Sequence, residues 1–263
     1  MAKEEETPPE ANRLEPFPHP RETAAVFGHE AAERDFLAAW QSGRLHHAWM
    51  IRGPQGVGKA TLAYRIALSV LVHGDAAPGT LDVPESHPSA RLLRAQSESR
   101  LFTLRREWDR KAKRHFSVIR AEDARSMEGK LFRLSAADGG WRVAIIDTAD
   151  ELGMPEAANA LLKIVEEPPP RSLLLLLTAS PGSVLPTIRS RCRTLDLAPL
   201  GPEPLAQAVA QARAAAGMEA AVDPTEATVL AALSGGAPGE ALRLGALDGV
   251  ALWTELAGLL DAA

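Results

Sequence analysis

Three glycines and a lysine form the segment in which chemistry is easiest to recognise. Gly53, Gly56 and Gly58 precede Lys59, and the segment follows a short apolar run at residues 48–51 and opens a helical pattern. Glycines let backbone N–H groups converge on a phosphate, the helix start adds positive partial charge, and the lysine reaches the outer phosphates. The spacing predicts a phosphate-binding loop, and the alternative is a glycine-rich turn with a surface lysine.

The residue after the lysine departs from the full phosphate-loop pattern. That pattern ends in Ser or Thr, whose hydroxyl binds Mg²⁺, whereas this chain has Ala60 there and Thr61 one residue later. One residue turns a helical side chain by about 100°. Thr61 therefore stays a candidate nucleotide contact but is not expected to face a metal, and no metal site is predicted.

An acid ends the apolar run at residues 141–147. Asp147 suits the metal-side carboxylate of a hydrolytic phosphate-loop protein, and it would equally suit a helix N-cap. The next residue is Thr148, which cannot act as a carboxylate base, and Asp150 is expected to face a helix start. Two defects in two motifs predict that this chain does not turn nucleotide over.

Apolar runs that suit strands alternate with helical patterns as far as residue 199. The runs cover residues 48–51, 116–119, 141–147, 173–177 and 193–197, and the helical patterns residues 30–43, 62–73, 122–134 and 155–165. Continuous apolar strands alternating with helices predict an α/β fold with a parallel sheet covered on both faces. Alanine-rich helices without strand signals follow, so we place a domain boundary near residue 200.

Composition and charge exclude several classes of protein. Apolar residues make up 46% and charged residues 24% of 263 residues, and the net charge is −5, so the surface is not basic throughout as in many nucleic-acid-binding proteins. A single cysteine, Cys192, excludes an internal disulfide and a four-cysteine zinc site, and it is expected to pack as a small buried residue. Without a signal peptide or an apolar stretch of membrane length, we expect a soluble cytoplasmic chain with no membrane partner. The proline-bearing residues 1–22 are expected to form a flexible acidic tail.

Several segments together resemble one family. The segments are residues 53–59, 143–150, 159–163, 166–169 and Ser190-Arg191-Cys192. Through them the chain is similar to the delta-prime family of bacterial DNA polymerase III clamp-loader subunits, which are AAA+ proteins. The resemblance implies a RecA-like AAA+ domain over residues 23–199 and a small helical lid over residues 200–247.

The resemblance also implies roles for individual residues. By position, Arg191 is an arginine finger that acts in trans on nucleotide bound by the neighbouring subunit, where its charge would stabilise the transition state. Thr178 matches the sensor position after a strand, and it is also an ordinary strand-end residue. The second sensor, an arginine in active motor subunits, is here Gly239. ATP or ADP is a possible ligand, and zinc is not expected.

The implied function is that of a non-hydrolysing stator. Its partners would be the motor subunits and the delta subunit of the clamp loader, the sliding clamp, and primer-template DNA. One alternative is a competent AAA+ ATPase, such as a motor subunit or a related remodeller. Another is a regulatory nucleotide-binding module acting outside replication.

Two features depart from the family. Residues 100–114 carry seven Lys/Arg against two acids where family members often insert a zinc module. This basic stretch is interpreted either as the solvated face of a helix or as a contact with a subunit or with DNA. Residues 248–263 are too few for the collar domain that the resemblance implies, so the collar is expected to be truncated or absent.

Overall fold

A five-stranded parallel sheet organises the first two-thirds of the chain. The computed structural model describes residues 8–23, 25–133, 140–247, 249, 253 and 255. The sheet strands are β1 (Ala48–Arg52), β2 (Leu101–Leu104), β5 (Arg142–Ile146), β6 (Ser172–Thr178) and β7 (Arg193–Asp196). Their order is β2-β5-β6-β1-β7 and every pair is parallel, which confirms the expected α/β class.

Nine helices occur in the described residues. They are α1 (Glu30–Gln41), α2 (Lys59–His73), α3 (Pro88–Arg94), α4 (Ala121–Arg133), α5 (Glu156–Glu166), α6 (Pro186–Arg189), α7 (Pro202–Ala215), α8 (Pro224–Leu233) and α9 (Pro238–Ala246). Short 3-10 helices cover Pro20–Glu22, Ala149–Glu151 and Pro181–Ser183.

Strand β6 shows how the sheet is buried on both faces. Leu173, Leu175 and Leu177 pack into the apolar cluster under α1 and α2, while Leu174 and Leu176 pack into the cluster under α4 and α5. Side chains alternate across a strand, so a strand buried on both faces must be apolar throughout. Each buried leucine contributes about 1.5–3 kcal/mol, which fixes β6 in the middle of the sheet.

The second strand of the sheet lies elsewhere than the sequence predicts. Leu101–Leu104 pairs with β5, whereas residues 116–119 contribute one isolated parallel bridge, Ile119 to Leu152. The expectation of a strand at residues 116–119 is therefore wrong. Strand β2 is only half-buried along three of its four residues, so it lacks the apolar run that marks the central strands.

The basic stretch is not a helix. It contains β2 and then a two-stranded antiparallel hairpin, β3 (Trp108–Asp109) with β4 (Arg114–His115). The interpretation of residues 100–114 as a solvated helical face is wrong, because residues 101–104 pair with β5 as an edge strand and residues 108–115 form the hairpin.

The N-terminal segment packs on the sheet domain. Ala11, Phe17 and His19 are buried, and Glu10 accepts hydrogen bonds from Arg21 Nη1 at 2.5 Å and Arg105 Nη1 at 2.6 Å. The flexible-tail expectation is therefore wrong for residues 8–22, because this segment buries apolar side chains and pairs its charges. Residues 1–7 lie outside the described part.

The helices after residue 200 share a small core of their own. Leu205, Val209, Leu230 and Ala241 pack together with Leu200. Most of residues 248–263, the expected remnant of a collar, lie outside the described residues.

The Glu10 cluster supports a first prediction, on stability and pH. Burial acts to raise the pKa of Glu10, but hydrogen bonds from Arg21 and Arg105 outweigh it and lower the pKa from 4.5 to about 2. The stabilisation is therefore complete above about pH 4.5 and is lost as the pH falls from there through 2. We expect Glu10→Gln to reduce the free energy of unfolding by about 1–3 kcal/mol at pH 7.

Urea denaturation at pH 7 and at pH 3.5 measures this effect. The difference between parent and variant should shrink at the lower pH. Glu203→Gln, a change to an exposed acid on α7, is the control and should show no such difference. A Glu10→Gln variant as stable as the parent at pH 7 would contradict the proposed anchoring of residues 8–22.

Candidate functional site

The glycine-rich loop, residues 53–59, connects β1 to α2 in a shape that requires its glycines. Gly53, Gly56 and Gly58 have φ values of 155°, 76° and 113°, which side chains rarely adopt. A Cβ on Gly53 would also meet the carbonyl oxygen of Leu197 at 2.5 Å. The loop therefore has the backbone freedom and the helix start that a phosphate cradle needs.

Lys59 is bound to the loop from which it projects. Its Nζ donates to the carbonyls of Gly53 at 2.8 Å and Pro54 at 2.7 Å. Burial lowers the pKa of Lys59, while the carboxylates of Asp150 and Asp147 act to raise it. The ammonium group thus closes the loop on itself, and a phosphate would have to replace the two carbonyls.

Two side chains near the loop complete its surroundings. His29 is buried and its Nε2 donates to the carbonyl of Val57 at 2.8 Å. Sequence reasoning missed this residue, since a lone histidine ahead of α1 carries no motif. Thr61 is half-buried on the first turn of α2, after Ala60.

The start of α9 packs directly on the loop. The N–H of Gly239 donates to the carbonyl of Gly56 at 2.9 Å, and a Cβ on Gly239 would lie 2.9 Å from Gly56 Cα. The two backbones meet where the resemblance would place an arginine in a motor subunit. Any side chain at position 239 would push the helical part away from the loop.

Asp147 and Thr148 follow directly after β5, and their surroundings limit the chemistry that they can perform. Asp147 is 8% exposed, and burial raises its pKa. The amide of Asn12 donates to its carbonyl oxygen at 3.4 Å. The hydroxyl of Thr148 donates to Leu177 O at 2.8 Å and to Asp150 Oδ2 at 3.1 Å. Thr148 therefore links two strand ends and offers no carboxylate to activate water.

Asp150 is the centre of the hydrogen bonds at this edge of the sheet. Its carboxylate accepts from the hydroxyls of Thr178 and Ser183 and from the N–H groups of Ala179 and Ser180. Burial acts to raise the pKa of Asp150, but these hydrogen bonds hold it below its ordinary value. Asp150 thus ties the end of β5 to the end of β6 instead of serving as a helix cap.

Thr178, the expected sensor, is fully buried. Its hydroxyl donates to Asp150 and accepts from the N–H of Ser180 at 3.1 Å. The structure places Thr178 at the carboxyl edge of the sheet with Asp147 and the loop, and both functions of its hydroxyl are engaged within the chain.

Arg191 lies at the end of the sheet where the parallel strands begin, opposite the end that carries the glycine-rich loop. It precedes β7, whose first residue, Arg193, pairs with Trp49. Trp49 is four residues before Gly53, and a parallel strand rises about 3.3 Å per residue, so about 13 Å of strand separates the two edges. The guanidinium of Arg191 therefore cannot serve the loop of its own chain.

The surroundings of Arg191 leave it accessible. Its side chain is 42% exposed, and Nη2 is 3.1 Å from Glu166 Oε1. Nη1 donates to the carbonyl of Thr187 at 2.9 Å. Burial raises the pKa of the neighbouring Cys192 thiol to about 12, so the thiol stays protonated beside the exposed arginine.

The described residues hold neither a metal-binding cluster nor a membrane-spanning helix. They contain no group of three or more His, Cys, Asp or Glu side chains arranged to hold a metal ion. None of the helices in that part of the chain is both long and apolar enough to cross a membrane.

Comparison with known proteins finds similarity to subunits of DNA polymerase III. A family model described as DNA polymerase III, delta subunit, matches residues 28–201. The delta-prime subunit of DNA polymerase III from Pseudomonas aeruginosa is 34% identical over 204 residues, which are 75% of this chain and 55% of that protein. The Escherichia coli delta-prime subunit is 32% identical over 216 residues, 79% of this chain and 57% of that protein.

A gamma/tau subunit and one solved structure extend the comparison. The DNA polymerase III gamma/tau subunit of Mycobacterium tuberculosis is 30% identical over 247 residues, 92% of this chain and 40% of that protein. The chain thus spans about half the length of the curated relatives it matches. The RuvB Holliday junction branch migration motor of Thermotoga maritima superimposes with a TM-score of 0.50 at 17% identity, covering 86% of this chain and 64% of that one. This likeness bears out the AAA+ fold.

The contact between Gly239 and Gly56 yields a second prediction. Gly239→Ala places a Cβ against backbone atoms that cannot rotate away, and we expect a loss of about 1–3 kcal/mol in the free energy of unfolding. Alanine gains at most about 1 kcal/mol in helix propensity, so the loss should dominate.

Gly79→Ala is the matched control, because a Cβ there meets no atom within 4 Å. Chemical denaturation of the parent and the two variants measures the effect. Equal stability of all three would show that α9 does not depend on close contact with the loop.

Proposed function

Because the chain belongs to the delta-prime family of DNA polymerase III clamp-loader subunits, we propose that it acts as a non-hydrolysing stator. In this role it presents Arg191 to the ATP site of an adjacent motor subunit while the sliding clamp is loaded onto primed DNA. The proposed partners are the motor and delta subunits of the loader in the cytoplasm, with the clamp and primer-template DNA as their substrates.

One observation carries this proposal. Arg191 is exposed and lies at the edge of the sheet opposite its own phosphate loop. A guanidinium there can reach only a phosphate that another molecule brings. In other NTPases an arginine supplied in trans is worth about 10³–10⁵ in rate, because it stabilises charge that grows in the transition state.

The contact with Glu166 fits a resting position for this arginine. Glu166 and Arg191 are both about half exposed, and an exposed ion pair is weak, worth about 0–1 kcal/mol. A triphosphate carries more charge than one carboxylate, so it would draw the guanidinium from Glu166 at little cost. Glu166 thus keeps Arg191 oriented without retaining it.

Three positions support the absence of turnover. Ala60 has no hydroxyl for a metal ion, Thr148 is engaged with Asp150 and Leu177, and Gly239 leaves no room for an arginine beside the loop. The glycine cradle and Lys59 nevertheless fit the phosphates of a nucleotide. ATP or ADP would bind to the loop through its negatively charged phosphates, and we assign the bound nucleotide a structural role only.

A second candidate is a competent AAA+ ATPase of the motor type. The similarity to a gamma/tau subunit over 92% of the chain favours it. In this case Lys59 would bind the phosphates of a nucleotide that the chain itself hydrolyses.

The isolated chain distinguishes these two candidates and supplies a third prediction. We expect no Mg²⁺-dependent ATP hydrolysis above background, because the metal hydroxyl and the water-activating carboxylate are missing. Lys59→Ala should leave this background unchanged. Hydrolysis that Lys59→Ala abolishes would establish the motor-type alternative.

The fourth prediction concerns Arg191 in the assembled complex. With Arg191→Ala, ATP hydrolysis at the site next to this subunit should slow by about 10³. In a single-turnover experiment, the fraction of ATP that this site hydrolyses should therefore be missing from the amplitude. The variant should fold normally, since the replaced side chain is exposed.

Arg189→Ala is the control. Arg189 is an exposed arginine two residues away that donates to Pro181 O at 3.1 Å, and its loss should leave the amplitude intact. The finger assignment fails if both variants behave alike, or if Arg191→Ala hydrolyses ATP like the parent.

A further inference from the structure

The structure divides the basic stretch into two groups of cations. The inner group is neutralised within the chain: Arg100 pairs with Glu98 at 3.0 Å, Arg105 with Glu10 at 2.6 Å and Arg106 with Glu151 at 2.7 Å. The outer group is carried by the hairpin of β3 and β4 and is exposed. Its members are Arg110, Lys111, Lys113 and Arg114.

The hairpin has a defined shape at its turn and at its base. Asp109 Oδ1 accepts from the N–H groups of Lys111 at 2.8 Å and Ala112 at 3.1 Å. These backbone hydrogen bonds lower the pKa of Asp109, so the acid stays charged and committed to the turn. At the base, the rings of Trp108 and His115 meet edge to face with centroids 5.0 Å apart.

The base of the hairpin is anchored on both sides of the sheet edge. Arg105, directly after β2, forms a hydrogen-bonded ion pair with Glu10 of the N-terminal segment, and Arg106 forms an ion pair with Glu151 after β5. These two ion pairs fix the position at which the hairpin leaves the carboxyl end of the sheet. Its tip presents four cations within five residues, in a chain whose net charge is −5.

We propose that this hairpin tip is a contact for the phosphate backbone of duplex DNA. DNA carries one negative charge per about 1.7 Å of helix axis, a density that suits four cations so closely spaced. Lysine and arginine on a two-stranded ribbon can follow that backbone, and contacts of this kind position a protein without reading sequence.

The composition of the tip favours duplex over single-stranded DNA. Single-strand binding uses exposed aromatic rings on which bases stack, and residues 110–114 contain no aromatic side chain. Trp108 is only partly exposed and is engaged with His115. The contact is thus electrostatic and should depend strongly on salt.

This inference rests on the proposed function only in supposing that DNA comes near the subunit. Its test needs neither ATP nor a motor subunit, so its failure would leave the Arg191 assignment untouched. Conversely, hairpin binding can succeed even if Arg191 has no part in hydrolysis.

The fifth prediction is measured by fluorescence anisotropy of a short labelled duplex with the full chain at low salt. The variant combines Arg110→Gln, Lys111→Gln, Lys113→Gln and Arg114→Gln. We expect its dissociation constant to rise about tenfold or more. The slope of the logarithm of the association constant against log salt should fall in magnitude by about 3.6, since each of the four lost phosphate contacts removes about 0.9.

A control variant matches the change in charge elsewhere on the surface. It combines Arg34→Gln, Arg44→Gln, Arg91→Gln and Arg125→Gln, four exposed arginines, and should bind within about twofold of the parent. Circular dichroism of both variants should match the parent, because all eight side chains are exposed.

Several outcomes would overturn the proposal. One is a parent chain that does not bind the duplex at low salt, and another is an equal loss in both variants, which would indicate net charge alone. A third is displacement of the duplex by polyglutamate at an equal concentration of charge, which would indicate an acidic protein partner. Single-stranded DNA that binds more tightly than the duplex would overturn the duplex assignment.

Discussion

The parallel register of β1 with β6 and β7 is the constraint on which the rest of the structure depends. Because β1, β5, β6 and β7 run in one direction, the residues directly after β1, β5 and β6 lie at the carboxyl ends of the strands, and the residues directly before β7 lie at the amino ends. The phosphate loop, Asp147 and Thr178 therefore share the carboxyl edge, while Arg191 is at the amino edge. This separation is the observation on which the proposed role of Arg191 rests.

At the carboxyl edge, the chain's own groups satisfy one another. Lys59 donates to the loop carbonyls, Asp150 accepts from the end of β6, and the N–H of Gly239 donates to Gly56. Buried or half-buried polar groups must find partners, and here the partners are internal. This end of the sheet therefore holds its shape through hydrogen bonds within the chain, and the start of α9 packs on it.

The sequence indicated the central elements better than the peripheral ones, for a physical reason. The runs that form β1, β5 and β6 are buried on both faces and must be apolar throughout, so the sequence alone is enough to recognise them. Strand β2 is an edge strand, is half-buried and is flanked by Arg100 and Arg105, so its sequence pattern is weak and the apolar run at residues 116–119 is favoured in its place. The prolines and charges of the N-terminal segment predict a flexible tail, but its buried Ala11 and Phe17 and the pairing of Glu10 with the distant Arg105 hold it on the sheet domain.

By itself, the sequence determined the chemistry available: a glycine cradle with its lysine, a missing metal hydroxyl, a threonine in place of a carboxylate, and the arginine before Cys192. Those are properties of residue type and local spacing, which a single chain segment fixes. The tertiary structure decided which of these groups meet, because strand order and register bring distant segments together. It put Asp150 at the centre of a hydrogen-bonded edge, packed Gly239 against Gly56, paired Arg100, Arg105 and Arg106 with acids, and left Arg191 and the cations of the hairpin tip exposed.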